Sequence, residues 1–125
     1  MSTVLVVDDD PDIANIFRIF ISREGHTADT ASDGNVCLEK VRQCRFDLIL
    51  LDIMMAPMDG WETLEHIKSD PRTSSIPVIM VTGKPLLDNE RAKYQNLFYH
   101  YLMKPVCHTE LCEIVKGALK NNQVF

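Results

Sequence analysis

The chain has 125 residues, enough for one domain that buries roughly two-thirds of its unfolded surface and holds a core without disulfide or metal staples. At 46% hydrophobic and 25% charged, with a formal net charge of −5 and no basic block, it lacks the cationic face that sequence-independent nucleic-acid binding requires. No apolar run approaches the roughly 20 residues of a membrane span and the N-terminus carries no signal-peptide pattern, so the reading is a cytoplasmic protein without membrane contact.

Apolar runs and segments of helical period alternate from end to end. Val4-Leu5-Val6-Val7 reads as a first strand that stops at Asp8-Asp9. Asp10 is then an N-cap, Pro11 suits the first helical position, and Gly25 closes a helix whose buried stripe is Ile13, Ile16, Phe17, Phe20 and Ile21. His26 to Ala31 forms a short strand, and Gly34 to Arg45 a second helix with Val41 and Cys44 facing inward. A third strand, Leu48 to Leu51, ends on Asp52. It is followed by a loop from Ile53 to Gly60, a helix from about Trp61 to Ser69, and a turn-rich connector over Asp70 to Ile76. Pro77 to Thr82 is the fourth strand, Leu86 to about Leu97 a helix, and Tyr99 to Met103 the fifth strand. The last helix runs from about His108 to Asn121 with Leu111, Ile114, Val115, Ala118 and Leu119 on its core face. Five strands alternating with five helices make an α/β, doubly wound parallel sheet, and residues 1–125 are expected to form one domain with no output domain attached.

The charged strand ends carry the chemistry. Asp8, Asp9, Asp52, Thr82 and Lys104 all fall at carboxyl ends, where open α/β sheets bind ligands. Two carboxylates about 4 Å apart repel by about 4 kcal/mol at an effective dielectric near 20, so three in one pocket call for a cation. Mg²⁺ takes one or two carboxylates together with phosphate oxygens, and Mn²⁺ could take its place. Asp9 and Asp52 fit as direct ligands and Asp8 as the holder of a metal-bound water. Asp52 also serves as nucleophile toward phosphorus, with Lys104 and Thr82 stabilising the phosphoryl oxygens. Taken singly, each residue has a bland reading: Lys104 a solvated terminus, Thr82 an ordinary β-branched residue. The set in this order does not.

With VLVVDDDP at Val4 to Pro11, LILLD at Leu48 to Asp52, Met58-Asp59-Gly60, Val81-Thr82-Gly83 and Lys104-Pro105, the chain resembles the response-regulator receiver domains of two-component signalling over essentially its whole length. The resemblance implies a flavodoxin-like strand order of 2-1-3-4-5 and Asp52 as the phosphoacceptor. It also implies that Asp8 and Asp9 are the acidic pair and that the Met54 backbone carbonyl completes the metal ligands. The donor it implies is a histidine kinase or a histidine phosphotransfer protein. Such a domain is no enzyme in the usual sense, since it catalyses only its own phosphorylation and dephosphorylation. The implied switch moves Thr82 toward the phosphate and turns Tyr101 inward, a population shift driven by added charge.

The chain departs from the family pattern in several places. Met55-Ala56-Pro57 replaces a methionine followed directly by proline, Gly83 stands where alanine is usual, and Leu97-Phe98 replaces the glycine and alanine that end the fourth helix. Tyr94, Phe98, Tyr99 and Tyr101 are concentrated beside them. Two readings follow: an output or self-association surface including Tyr94, Phe98 and Tyr99, with a phosphorylation-dependent dimer or a downstream protein as its occupant, or aromatic filling of the core. Met54 and Lys84 flank the expected route of attacking water and predict a slow loss of phosphate.

Cys37, Cys44, Cys107 and Cys112 contain no C-x-x-C pair and read as reduced, mostly buried thiols. His26, His66, His100 and His108 lack the spacing of a zinc site on one helix. Three other functions fit the sequence less well. A haloacid-dehalogenase-like phosphatase using Asp8 and Asp10 leaves Asp52 without a role and meets Asp12 where threonine or valine is needed. A receiver-like module that signals unphosphorylated is opposed by the intact site. A flavin-binding domain lacks the phosphate loop after the first strand.

Overall fold

Val, Ile and Leu runs with no polar face are best accommodated as strands covered on both sides, and the computed structural model of the chain, in which residues 2–122 are described, uses them that way. The strands are β1 (Thr3–Val7), β2 (Thr27–Ala31), β3 (Leu48–Leu51), β4 (Val78–Thr82) and β5 (His100–Met103). They alternate with α1 (Pro11–Arg23), α2 (Gly34–Gln43), α3 (Gly60–Ser69), α4 (Asp88–Tyr94) and α5 (His108–Asn122). All pairings are parallel, in the order β2-β1-β3-β4-β5. The three inner strands are almost wholly buried, whereas the edges β2 and β5 show exposed positions, as expected where one side of a strand meets water.

Because side chains alternate across a strand, the sheet separates two cores. Leu5, Val7, Ile49, Leu51, Val78 and Met80 point toward α2, α3 and α4. Val4, Val6, Leu48, Leu50, Ile79 and Val81 point toward α1 and α5, where they meet Ile21, Leu111 and Val115. Aspartates start three of the helices. Asp10 accepts from the Asp12 and Ile13 amides, Asp33 from Val36 and Asp59 from Glu62, each satisfying an otherwise orphaned N–H. Gly25, at φ 88°, turns the chain after α1 in a conformation that side chains with a Cβ rarely adopt.

Four expectations need correction. Helix α2 ends at Gln43 rather than Arg45; Cys44 is extended, at φ −131°, and exposed, and the inward thiol is the fully buried Cys37. Helix α4 is shorter at both ends than Leu86 to Leu97. It starts after an extended Leu87 whose N–H donates to Glu90, and it stops once Tyr94 is buried, with a tight turn from the Leu97 N–H to the Tyr94 carbonyl. In α1 the buried residues are Ala14, Phe17 and Ile21, while Ile13 and Phe20 sit at the margin and Ile16 is 48% exposed, because the apolar stripe is wider than the surface the sheet offers. Finally, the thiols are not mostly buried: Cys44 and Cys107 are exposed and Cys112 is half-buried.

Candidate functional site

The parallel ladders carry their charges to a common edge. The Asp8 N–H donates to the Ala31 carbonyl, the Asp52 N–H to Val7 and the Lys104 N–H to Thr82, so each residue is held to the strand beside it at the sheet's carboxyl end. Carboxylate oxygens of Asp8, Asp9 and Asp52 consequently lie within 4.8 Å of one another. Asp8 and Asp52 are buried and Asp9 is exposed, which leaves the group open on one side.

Lys104 Nζ is 2.6 Å from Asp8 Oδ2 and 3.4 Å from Asp52 Oδ2. Its stronger partner is therefore the flanking acid rather than the expected phosphoacceptor. Burial pushes the Asp8 carboxyl above its ordinary range, and the hydrogen bonds from Lys104 and from the Asp10 amide only partly offset this. Burial acts against the Lys104 ammonium as well, but the Asp8 hydrogen bond and the charge of Asp52 outweigh it and carry the lysine upward. One ammonium against three carboxylates leaves two formal negative charges in excess. A divalent cation with a preference for oxygen donors matches that set.

The loop after β3 is drawn tight against the site. The Gly60 N–H donates to the Ile53 carbonyl, and a Cβ at Gly60 would collide with the Asp52 carbonyl oxygen and with Ile53 Cα. In the sequence Gly60 stands out only as part of Met58-Asp59-Gly60; its physical task is to let α3 begin against the backbone of Asp52. Met54 donates its N–H to Asp52 Oδ1 at 3.3 Å, and its side chain is 61% exposed. On the next strand Thr82 is fully buried, and its Oγ1 has no hydrogen-bond partner among the described residues. Leaving a buried hydroxyl unsatisfied costs about 1–3 kcal/mol, so this donor is poised for an acceptor arriving at the site.

Beyond Thr82, a polar network that sequence reasoning missed ties the following loop to the core. Tyr101 donates its hydroxyl to the Lys84 carbonyl at 2.6 Å, Lys84 pairs with Glu90, and the Trp61 indole N–H donates to Glu90 Oε2 at 2.9 Å. The only signal in the sequence was a glutamate three residues beyond the start of a helix. Of the aromatics read as a partner surface, Tyr94 is a core residue: its ring stacks on Trp61 at 4.4 Å and its hydroxyl donates to Glu65. Phe98 is half-buried, 6.0 Å from both Trp61 and Tyr101, and Tyr99 alone of the three is exposed, at 40%. The large side chains at positions 94 and 98 thus occupy the volume beside Trp61. No helix among the described residues is long and apolar enough to cross a membrane.

Residues 4–116 match the family model described as the response regulator receiver domain. The chain is similar to the DNA-binding response regulator MtrA of Mycolicibacterium smegmatis, at 33% identity over 96% of this chain and 51% of that protein. Among solved structures it resembles the N-terminal domain of a response regulator receiver protein from Methanoculleus marisnigri JR1, with 47% identity, a TM-score of 0.80 and coverage of 95% and 97% of the two chains. It also resembles the response regulator TrrA of Thermotoga maritima in complex with Mg²⁺ and BeF, with 29% identity, a TM-score of 0.85 and coverage of 95% and 100%. The chain spans between about a quarter and about a half of the length of the curated relatives it matches.

Proposed function

The chain belongs to the response regulator receiver domain family of phosphorylation-based two-component signalling, and from that premise we propose that Asp52 accepts a phosphoryl group from a phosphohistidine, on a histidine kinase or a histidine phosphotransfer protein. A carboxylate oxygen of Asp52 attacks phosphorus, a P–O bond forms, and the P–N bond breaks with its electron pair returning to the donor imidazole. The observation that carries this reading is the convergence of Asp8, Asp9 and Asp52 with Lys104 at adjacent strand ends.

Asp9, Asp52 and the Met54 carbonyl are the residues that would hold Mg²⁺, with Asp8 orienting a bound water. The ion supplies Lewis-acid neutralisation of the phosphoryl oxygens. Lys104 adds a fixed positive charge and Thr82 a hydrogen bond to the same oxygens. Support for the metal comes from the all-oxygen donor set and its excess negative charge, and the similar TrrA was solved with Mg²⁺ and BeF.

Thr82 then links chemistry to signal. When its hydroxyl engages a phosphate, the loop carrying Lys84 shifts, and with it the carbonyl that accepts from Tyr101. Tyr101 repacks against Trp61 and Phe98, which alters the α4, β5 and α5 surface including Tyr99. The exposed Met54 side chain shields the acyl phosphate, so Met54→Asn loses phosphate faster.

The test is the intact mass of wild type and Asp52→Asn after incubation with acetyl phosphate or phosphoramidate, with and without Mg²⁺. A single metal-dependent phosphate adduct in wild type and none in the variant is expected. An adduct that survives in Asp52→Asn overturns the assignment, and no adduct with any donor overturns the phosphoacceptor reading.

A further inference from the structure

A second set of ligand atoms lies away from the acidic pocket, where the end of α1 meets the start of α5. Helical spacing places His108 and Cys112 one turn apart on the same face of α5, and Phe20 and Glu24 in the same relation at the end of α1. His108 Nε2 and Cys112 Sγ are 3.3 Å apart. With a carboxylate oxygen of Glu24 they form a group of three potential ligands within 4.8 Å. The Phe20 ring stands 4.6 Å from the His108 ring, centroid to centroid, and covers one side of the imidazole, which limits its rotation.

Ligand atoms around one tetrahedral zinc, at about 2.0–2.3 Å from it, are separated by roughly 3.3–3.6 Å. The nitrogen and sulfur already stand at that separation. Glu24 is exposed and terminates α1, so its side chain is free to close the remaining distance. The donors are one imidazole, one thiol and one carboxylate, a mixture that suits a metal of borderline softness and not the all-oxygen preference of Mg²⁺ or Ca²⁺. A neutral imidazole with a thiolate and a carboxylate also balances a dipositive ion. Burial and the Glu24 charge both push the Cys112 thiol upward, and a metal at this point would neutralise the second of these and displace the thiol proton.

We propose that Glu24, His108 and Cys112 form a binding site for a divalent transition metal, zinc foremost, with water in the fourth position. The site joins residues 24 and 108–112, distant in the chain, and so clips the first turns of α5 to the end of α1. It is independent of the phosphoacceptor chemistry and uses none of its residues.

The test is titration of the full, reduced chain with Co²⁺, following the thiolate-to-cobalt charge-transfer band in the near ultraviolet, which an oxygen-only site cannot produce. One equivalent of band-forming cobalt, displaced by zinc, is expected. Cys112→Ser should abolish the band, His108→Gln and Glu24→Gln should each weaken binding about tenfold or more, and Cys44→Ser and Cys107→Ser should leave it unchanged. Circular dichroism of each variant checks folding. The proposal is overturned if cobalt in excess gives no band, if the band survives Cys112→Ser, or if His108→Gln binds as wild type does.

Discussion

The two sides of the sheet are built on different terms. Toward α1 and α5 the core is mainly aliphatic: Val4, Val6, Ile21, Leu48, Leu50, Ile79 and Leu111 pack without directional bonds, and Phe17 is the buried aromatic. Toward α2, α3 and α4 it holds Phe46, Trp61 and Tyr94, with Phe98 and Tyr101 against them, and the polar tips of Trp61, Tyr94 and Tyr101 are hydrogen-bonded to Glu90, Glu65 and the Lys84 carbonyl. Aliphatic packing resists any change of volume but has no preferred partner to exchange. A hydrogen-bonded aromatic cluster has discrete arrangements, and this one is joined to the loop that follows Thr82. One side therefore serves as the anvil of the fold, while the other, under the proposed function, is the side that registers what happens at Asp52.

Three substitutions sharpen the contrast. The largest effect is expected for Ile21→Ala, which empties a fully buried position on the aliphatic side: a loss of about 2–5 kcal/mol in urea denaturation, with Asp52 still modified by acetyl phosphate in the fraction that remains folded. If the aliphatic side also transmitted the signal, adduct formation would fall along with stability. Gly60→Ala strikes the boundary between α3 and the site. Its Cβ meets the Asp52 backbone, which cannot yield as a flexible side chain would, so about 1–3 kcal/mol of stability should be lost and adduct formation slowed as Asp52 is displaced. A variant of unchanged stability and rate would show that α3 does not fix the position of Asp52.

Tyr101→Phe should have the smallest effect, about 0.5–1.5 kcal/mol for one hydrogen bond, but it carries a pH signature. Burial, with the charges of Glu90 and Asp52, pushes the Tyr101 phenol up to about 12 from its ordinary 10. Below pH 10 both folded and unfolded chains keep the proton, and stability does not depend on this group. Between 10 and 12 the unfolded chain releases it first, so stability falls as pH rises through that window. The variant should show a shallower alkaline decline in chemical denaturation, and equal slopes would refute the burial of this hydroxyl.

The elements legible in the sequence were those with a local cause. Asp10, Pro11 and Gly25 bracket α1 because capping and positive φ act within a few residues, and the strand runs were legible because a fully covered strand has no polar face to hide. Asp8, Asp9, Asp52, Thr82 and Lys104 could be grouped because parallel strands deliver their carboxyl ends to one edge, and charge and ligand chemistry suggested their roles, whereas the Met54 carbonyl came only with the family resemblance. Less legible were features that depend on what packs alongside. Nothing local distinguishes Tyr94, stacked under Trp61, from Tyr99 on the surface, or the exposed Ile16 from the buried Ile21. The ends of α4 are illegible for the same reason, since burial of Tyr94 and the Glu90 bond to Leu87 decide them.

By itself the chain determined its alternation of strands and helices and the acids and lysine that follow β1, β3 and β5, because periodicity and capping operate over one or two turns. Tertiary structure alone decided that Lys104 leans on Asp8 rather than Asp52, that Glu90 joins Trp61 to the loop after Thr82, and that Glu24 reaches the pair His108 and Cys112. Each of these is a contact between residues far apart in sequence, where distance and burial set the interaction and no local pattern encodes it.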